Sequence, residues 1–190
     1  MNYAQFGISR DDALNLLDAY IDNPNMIKHC LATEAVMRKL ATELGQNDDL
    51  WGLAGLLHDL DVEKQPDLSF HTSETVEVLK ARGVDPQIID AIRMHNEQDH
   101  GEKRQTLFHH ALAAGETITG LITATALVYP DKKLASVKPK SVRKRFREKA
   151  FAKGADRGII RECEQLGLEI NQFCDLALQA MQEIAGDLGL

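Results

Sequence analysis

Apolar residues recur at intervals of three and four along nearly the whole chain, and no stretch of its 190 residues alternates apolar with polar side chains. A chain patterned in this way buries its apolar stripes by packing helix on helix. Ile27, Cys30, Leu31, Met37, Leu40, Ala41 and Leu44 mark one stripe between Met26 and Leu44, which Gly45 ends. Leu50 to Leu60 is apolar nearly all round and predicts a central helix, capped by Asn47 or Asp48. Asp85-Pro86 reads as the cap and first residue of a helix that ends at His95. Thr106 to Val128 predicts a long helix stopped by Pro130. Ile170, Phe173, Cys174, Ala177, Met181, Ile184 and Leu188 form the cleanest stripe. Short amphipathic segments fall at about 11–21, 72–82, 141–150 and 156–166, and the stretches 61–69, 98–103 and 130–140 read as connectors. The expected fold is all-α, a single-domain bundle of about eight or nine helices over residues 1–190. Ile27, Leu31, Leu53, Leu56, Leu57, Ile92, Leu112, Ile122, Ile170, Phe173 and Met181 are its expected core.

With 44% hydrophobic and 27% charged residues, such a bundle needs no disulfide or metal merely to fold. Cys30, Cys163 and Cys174 are odd in number and lack C-x-x-C spacing, which argues against a secreted disulfide scaffold and a zinc ribbon and suits a reduced cytoplasm. No apolar run approaches the roughly 20 residues of a membrane span, and Met1 to Gln5 lacks the basic start of a signal peptide. A cytoplasmic protein without a membrane partner is expected. The net charge of −7 argues against nucleic acid as a partner of the whole molecule.

Seven histidines stand out against this helical background. His29 lies in the first turns of its helix, His58-Asp59 inside the most apolar segment, His71 just before a helix and His95 at the end of one. Glu116 interrupts the apolar run from Ala111 to Ile118. A charged carboxylate in such surroundings is costly unless something pairs with it. One buried His or Asp satisfied by a neighbour is common, but their coincidence on several apolar elements points to a shared partner. Imidazole and carboxylate together suit Fe, Mn, Zn, Ni or Co and leave out a soft thiolate site. On a helix His58 and Asp59 would point about 100° apart, so each approaches a metal from a different side, and a carboxylate bridges two ions.

The order His29, His58-Asp59, His95, Glu116 resembles the HD-domain superfamily of metal-dependent phosphohydrolases over about residues 24–130. The segments 111–128 and 140–151 look like those of small bacterial HD-domain proteins. His71 and His95 resemble the two extra histidines of binuclear members. Leu60-Asp61 follows the His-Asp pair, so the HDIG and HDGYP signatures are absent, and Glu116 stands where the family usually has Asp. The resemblance implies His29, His58, Asp59, His71, His95 and Glu116 as ligands of one or two divalent transition-metal ions, with Asp59 bridging. It implies hydrolysis of a phosphomonoester or phosphodiester of a small metabolite or nucleotide by metal-activated water. Asp61 and Glu63 follow as general-base candidates or as supports for the ligating imidazoles.

Two other readings stay open beside this one. Some HD-domain proteins use two irons for oxidative cleavage, and Glu116 in place of Asp instead suits a catalytically degenerate, metal-stabilised sensing module. Between Lys138 and Lys149 seven Lys and Arg face one acid, Glu148. That segment is either a solvated basic helix or one from which Lys140, Lys144 or Arg147 reaches over the metal cleft to hold a substrate phosphate. His100 falls in a polar loop, and His109 and His110 have no assigned role.

Overall fold

A computed structural model describes residues 3–64, 70–97 and 101–190. Among them the chain is helical throughout and has no strand. The α-helices are α1 (Arg10–Tyr20), α2 (Pro24–Glu43), α3 (Asp48–Leu57), α4 (Ser73–Ala81), α5 (Pro86–His95), α6 (Leu107–Leu127), α7 (Pro139–Arg147), α8 (Arg157–Ile160), α9 (Ile170–Glu183) and α10 (Ala185–Leu188). Eight of these ten run nine residues or more; α8 and α10 are single turns.

Local chemistry sets most of the boundaries. Side-chain oxygens of Ser9, Asn23, Asn47, Asp85 and Thr106 accept from backbone N–H groups in the first turns of α1, α2, α3, α5 and α6. Pro24 and Pro86 occupy first-turn positions whose missing N–H would have had no partner. One boundary departs from the sequence expectation: α3 stops at Leu57 rather than Leu60, so His58 is its C-cap and Asp59 lies just beyond the helix. The cause is tertiary. Asp61 takes backbone N–H groups from the start of α4, and Glu63 takes those of Asp22 and Asn23, which pulls the chain out of the helical path.

Helix α2 packs against α3 and α6, and α6 in turn touches α5, α7, α8 and α9. Leu53, Leu56, Leu57, Ile92, Leu112, Ile122, Phe173 and Met181 are buried as expected, whereas Ile27, Leu31 and Ile170 are only partly buried at the rim of the core. Cys30, Cys163 and Cys174 are free thiols within the packing. No described helix is long and apolar enough to cross a membrane.

The α2–α3 contact fixes the site's geometry. A Cβ built on Gly55 would lie 2.9 Å from the Thr33 carbonyl carbon and oxygen and 3.0 Å from the Glu34 nitrogen, all backbone atoms. Gly55→Ala is therefore expected to push α3 away from α2 and to cost about 1–3 kcal/mol in urea unfolding. Because the Gly55 carbonyl holds His58, the same variant should also displace that ring.

Candidate metal centre

His29 in α2, His58 and Asp59 after α3, His71 before α4 and His95 at the end of α5 come together in one place. Their donor atoms form two groups of three, His29–His58–Asp59 and Asp59–His71–His95, each with all atoms within 4.8 Å of one another. The Asp59 carboxylate belongs to both. Its Oδ2 lies 3.6 Å from His29 Nε2 and 3.4 Å from His58 Nε2, and its Oδ1 lies 3.0 Å from His71 Nε2 and 3.6 Å from His95 Nε2.

The other ring nitrogens fix the tautomers. His58 Nδ1–H donates to the Gly55 carbonyl at 2.9 Å, and His95 Nδ1–H to the Ile92 carbonyl at 2.6 Å. His71 Nδ1–H donates to Asp61 Oδ1 at 2.9 Å. The Thr119 hydroxyl spends its one proton on the Glu116 carbonyl, so at 2.9 Å from His29 Nδ1 it accepts. All four imidazoles thus keep Nε2 for the centre. The His29 and His58 Nε2 atoms face each other at 3.1 Å, and those of His71 and His95 at 3.2 Å. Four inward-turned Nε2 atoms around a carboxylate suit a cation, which would take the place of the proton that His71 directs at Asp59, and an acceptor behind each ring is how proteins orient metal-binding histidines.

The two halves differ electrostatically. Burial holds His29 below its ordinary value and His58 down at about 3, outweighing the attraction of Asp59, so this half stays neutral imidazole. His71 resists the same burial because it donates to Asp59 and Asp61, which push it up to about 10. Asp59 is also opposed by burial, yet the surrounding rings, His58 foremost, and the hydrogen bond from His71 hold it well below the ordinary range.

Asp61 is fully buried and does not line the cleft. It accepts from His71, from the Thr72 N–H at 2.9 Å and from the Glu74 and Thr75 N–H groups at 3.1 Å. Thr72 stands at φ 91°, a region costly for a β-branched residue, and the Asp61 clamp holds it there. Glu63 is not brought to the centre: its oxygens accept from the Asp22 and Asn23 N–H groups at 3.0 and 2.9 Å. Glu116 lines the cleft but joins neither donor group; its carboxyl bonds the Thr117 hydroxyl instead. Burial and then the Asp59 charge push Glu116 up to about 8, with the Thr117 bond opposing them.

A cleft of about 410 Å³ opens on this centre, bordered by Asn96, Thr117, Gly120 and the turn Gly154–Ala155–Asp156. Lys140, Lys144 and Arg147 are exposed on α7 and do not line it. Lys144 instead borders a separate depression with Tyr129 and Ser141, 3.8 Å from Glu148. His109 pairs with Asp90 at 2.9 Å and His110 with Glu162 at 2.7 Å, both away from the centre. His100 lies outside the described residues.

Three positioning residues have no metal-ligand chemistry to flag them in the sequence. Thr119 orients His29, and the Asn96 amide donates to the His71 carbonyl at 3.0 Å. Arg104 donates to the His95 carbonyl at 2.9 Å while its fork grips Glu162. Only Thr119 leaves a sequence signal, three residues after Glu116 and so on the same helix face.

No solved structure matches the chain significantly. The family model described as HD domain matches residues 26–156. That span begins just before His29 and ends at Asp156, which lines the cleft, and so encloses both donor groups. With four inward-facing imidazoles shared by one aspartate, and more than half of its length matched, the chain belongs to the HD-domain family.

Proposed function

We propose that the protein is a metal-dependent phosphohydrolase that cleaves a phosphate ester of a small metabolite or nucleotide. HD-domain proteins are in general metal-dependent hydrolases. The observation that carries the reading is the division of Asp59 between two imidazole pairs whose Nδ1 atoms are all occupied. His29, His58 and Asp59 would hold one divalent ion, and Asp59, His71 and His95 a second. Ions bound there supply hydroxide near neutral pH and neutralise phosphoryl oxygens as charge develops.

The chain's own residues do the rest. The backbone carbonyls of Gly55 and Ile92, the Thr119 hydroxyl and the Asp61 carboxylate fix the four rings before substrate arrives. Glu116 lines the cleft without joining either donor group, which leaves it placed to act as the acid that protonates the leaving oxygen.

The test is elemental analysis followed by a screen of sugar and nucleotide phosphates, before and after chelation. Two ions per chain and chelator-sensitive release of phosphate are expected. Absence of metal after reconstitution, or turnover that requires oxygen, overturns the reading. Glu116→Gln should keep both ions and lose about 10²–10⁴-fold in kcat. Loss of an ion would make Glu116 a ligand instead.

A further inference from the structure

A second pocket of about 360 Å³ adjoins the metal cleft, lined mainly by Ala32, Ala124, Leu127, Leu188 and Leu190, with Asn25 and Lys28 also bordering it. His29 and Gly120 border both spaces. The two faces of this shared border are the two His29 nitrogens: Nε2 faces His58 at the candidate metal centre, and Nδ1 is bonded to Thr119, which lines the second pocket.

Gly120 lies within α6 and is exposed. Its φ is not positive, and a Cβ built there meets nothing within 4 Å. Neither backbone conformation nor packing calls for glycine, although glycine inside a helix costs about 0.5–1 kcal/mol relative to alanine. Gly120 lines both pockets, and the space over it is open. Leu127, 49% exposed, stands at the second pocket as one of the few large apolar side chains left in water among the described residues. Covering such a side chain is favourable, and the volume is more than twice the roughly 150 Å³ that holds a benzene.

We infer that this second pocket binds the apolar part of the substrate, so that the protein acts on phosphate esters of an aliphatic or aromatic alcohol whose phosphoryl group lies at the metal centre. The inference rests on the phosphohydrolase reading. Over Gly120 the substituent passes from the cleft, past the His29 ring, to Ala124 and Leu127.

Titration calorimetry of the metal-loaded full chain with methyl-, ethyl-, butyl- and phenylphosphonate, which resist hydrolysis, tests it without turnover. From ethyl to butyl, each methylene is expected to tighten Kd about fourfold. Phenylphosphonate should bind at least tenfold more tightly than methylphosphonate. Gly120→Val closes the passage and Ala124→Leu fills the pocket; each should bring the butyl-to-methyl affinity ratio close to one. Gly120→Ala is expected to raise Tm, because its methyl enters open space. Should Gly120→Val fail to fold, Ala124→Leu carries the comparison alone. Equal affinities across the series, or a butyl preference that survives the substitutions, overturns the pocket assignment while leaving the metal centre intact. Failure of methylphosphonate itself to bind overturns the phosphohydrolase reading and this inference with it.

Discussion

Asp59→Ala is expected to reduce bound metal from two ions per chain to none and to lower phosphate-ester hydrolysis by about 10³-fold or more. The reason is the division of its carboxylate: one oxygen faces His29 and His58 and the other faces His71 and His95. Without it each pair of imidazoles is left two neutral donors and no negative charge to balance a divalent ion. His58→Ala should be milder, taking one ligand from the first group and sparing the second. Elemental analysis of both variants, with circular dichroism to show that the helices remain, checks the expectation. Metal content unchanged by both substitutions would refute the site.

Much of this centre was legible in the sequence because ligands are chemically conspicuous. A His or carboxylate on an apolar helix is an anomaly that periodicity exposes, as at His29, His58, Asp59 and His95, whereas His71, just before a helix, was singled out by the family resemblance. The groups that aim them did not. The carbonyls of Gly55 and Ile92 are backbone atoms with no residue-type signature, and Arg104 reaches the carbonyl of His95 from beyond residues that no periodicity connects.

Glu63 and Glu116 show the limit from the other side. Both were conspicuous carboxylates, but Glu63 serves the amides at the start of α2 and Glu116 turns to its neighbour Thr117. Sequence pattern finds that a polar group is out of place; which partner satisfies it is decided by tertiary geometry. The early end of α3 has the same origin, since the pull of Asp61 and Glu63 on distant amides overrides a run of residues that suits a helix. The basic helix α7 was readable as a helix with solvated cations, and the structure keeps Lys140, Lys144 and Arg147 outside the cleft.

Asp61→Asn is expected to separate the two halves of the centre. In the metal-free protein Asp61 accepts from His71 and from three amides at the start of α4, and an asparagine there turns its NH₂ group toward donors. Breaking a buried pair of this kind should cost about 3 kcal/mol in urea unfolding. The loss should depend on pH in both directions. Although burial opposes it, the hydrogen bonds from His71 and those amides hold Asp61 below its ordinary 3.8. Its contribution is therefore complete above about pH 4 and disappears as pH falls through the depressed folded value. His71 is raised from 6.5 to about 10, so its contribution is complete below 6.5 and fades as pH rises toward 10. The gap between wild type and Asp61→Asn should thus be widest between about pH 4 and 6.5 and narrow on either side; a gap independent of pH would mean that the pair carries no charge. Binding the second ion must displace the His71 proton, so buffer-dependent calorimetry near neutral pH should register its release. Losing the acceptor that orients His71, Asp61→Asn should then retain one ion of two, as should His71→Ala and His95→Ala, because His29, His58 and Asp59 are untouched. A wild type that binds one ion, unaltered by any of the three substitutions, would leave Asp59 serving His29 and His58 alone.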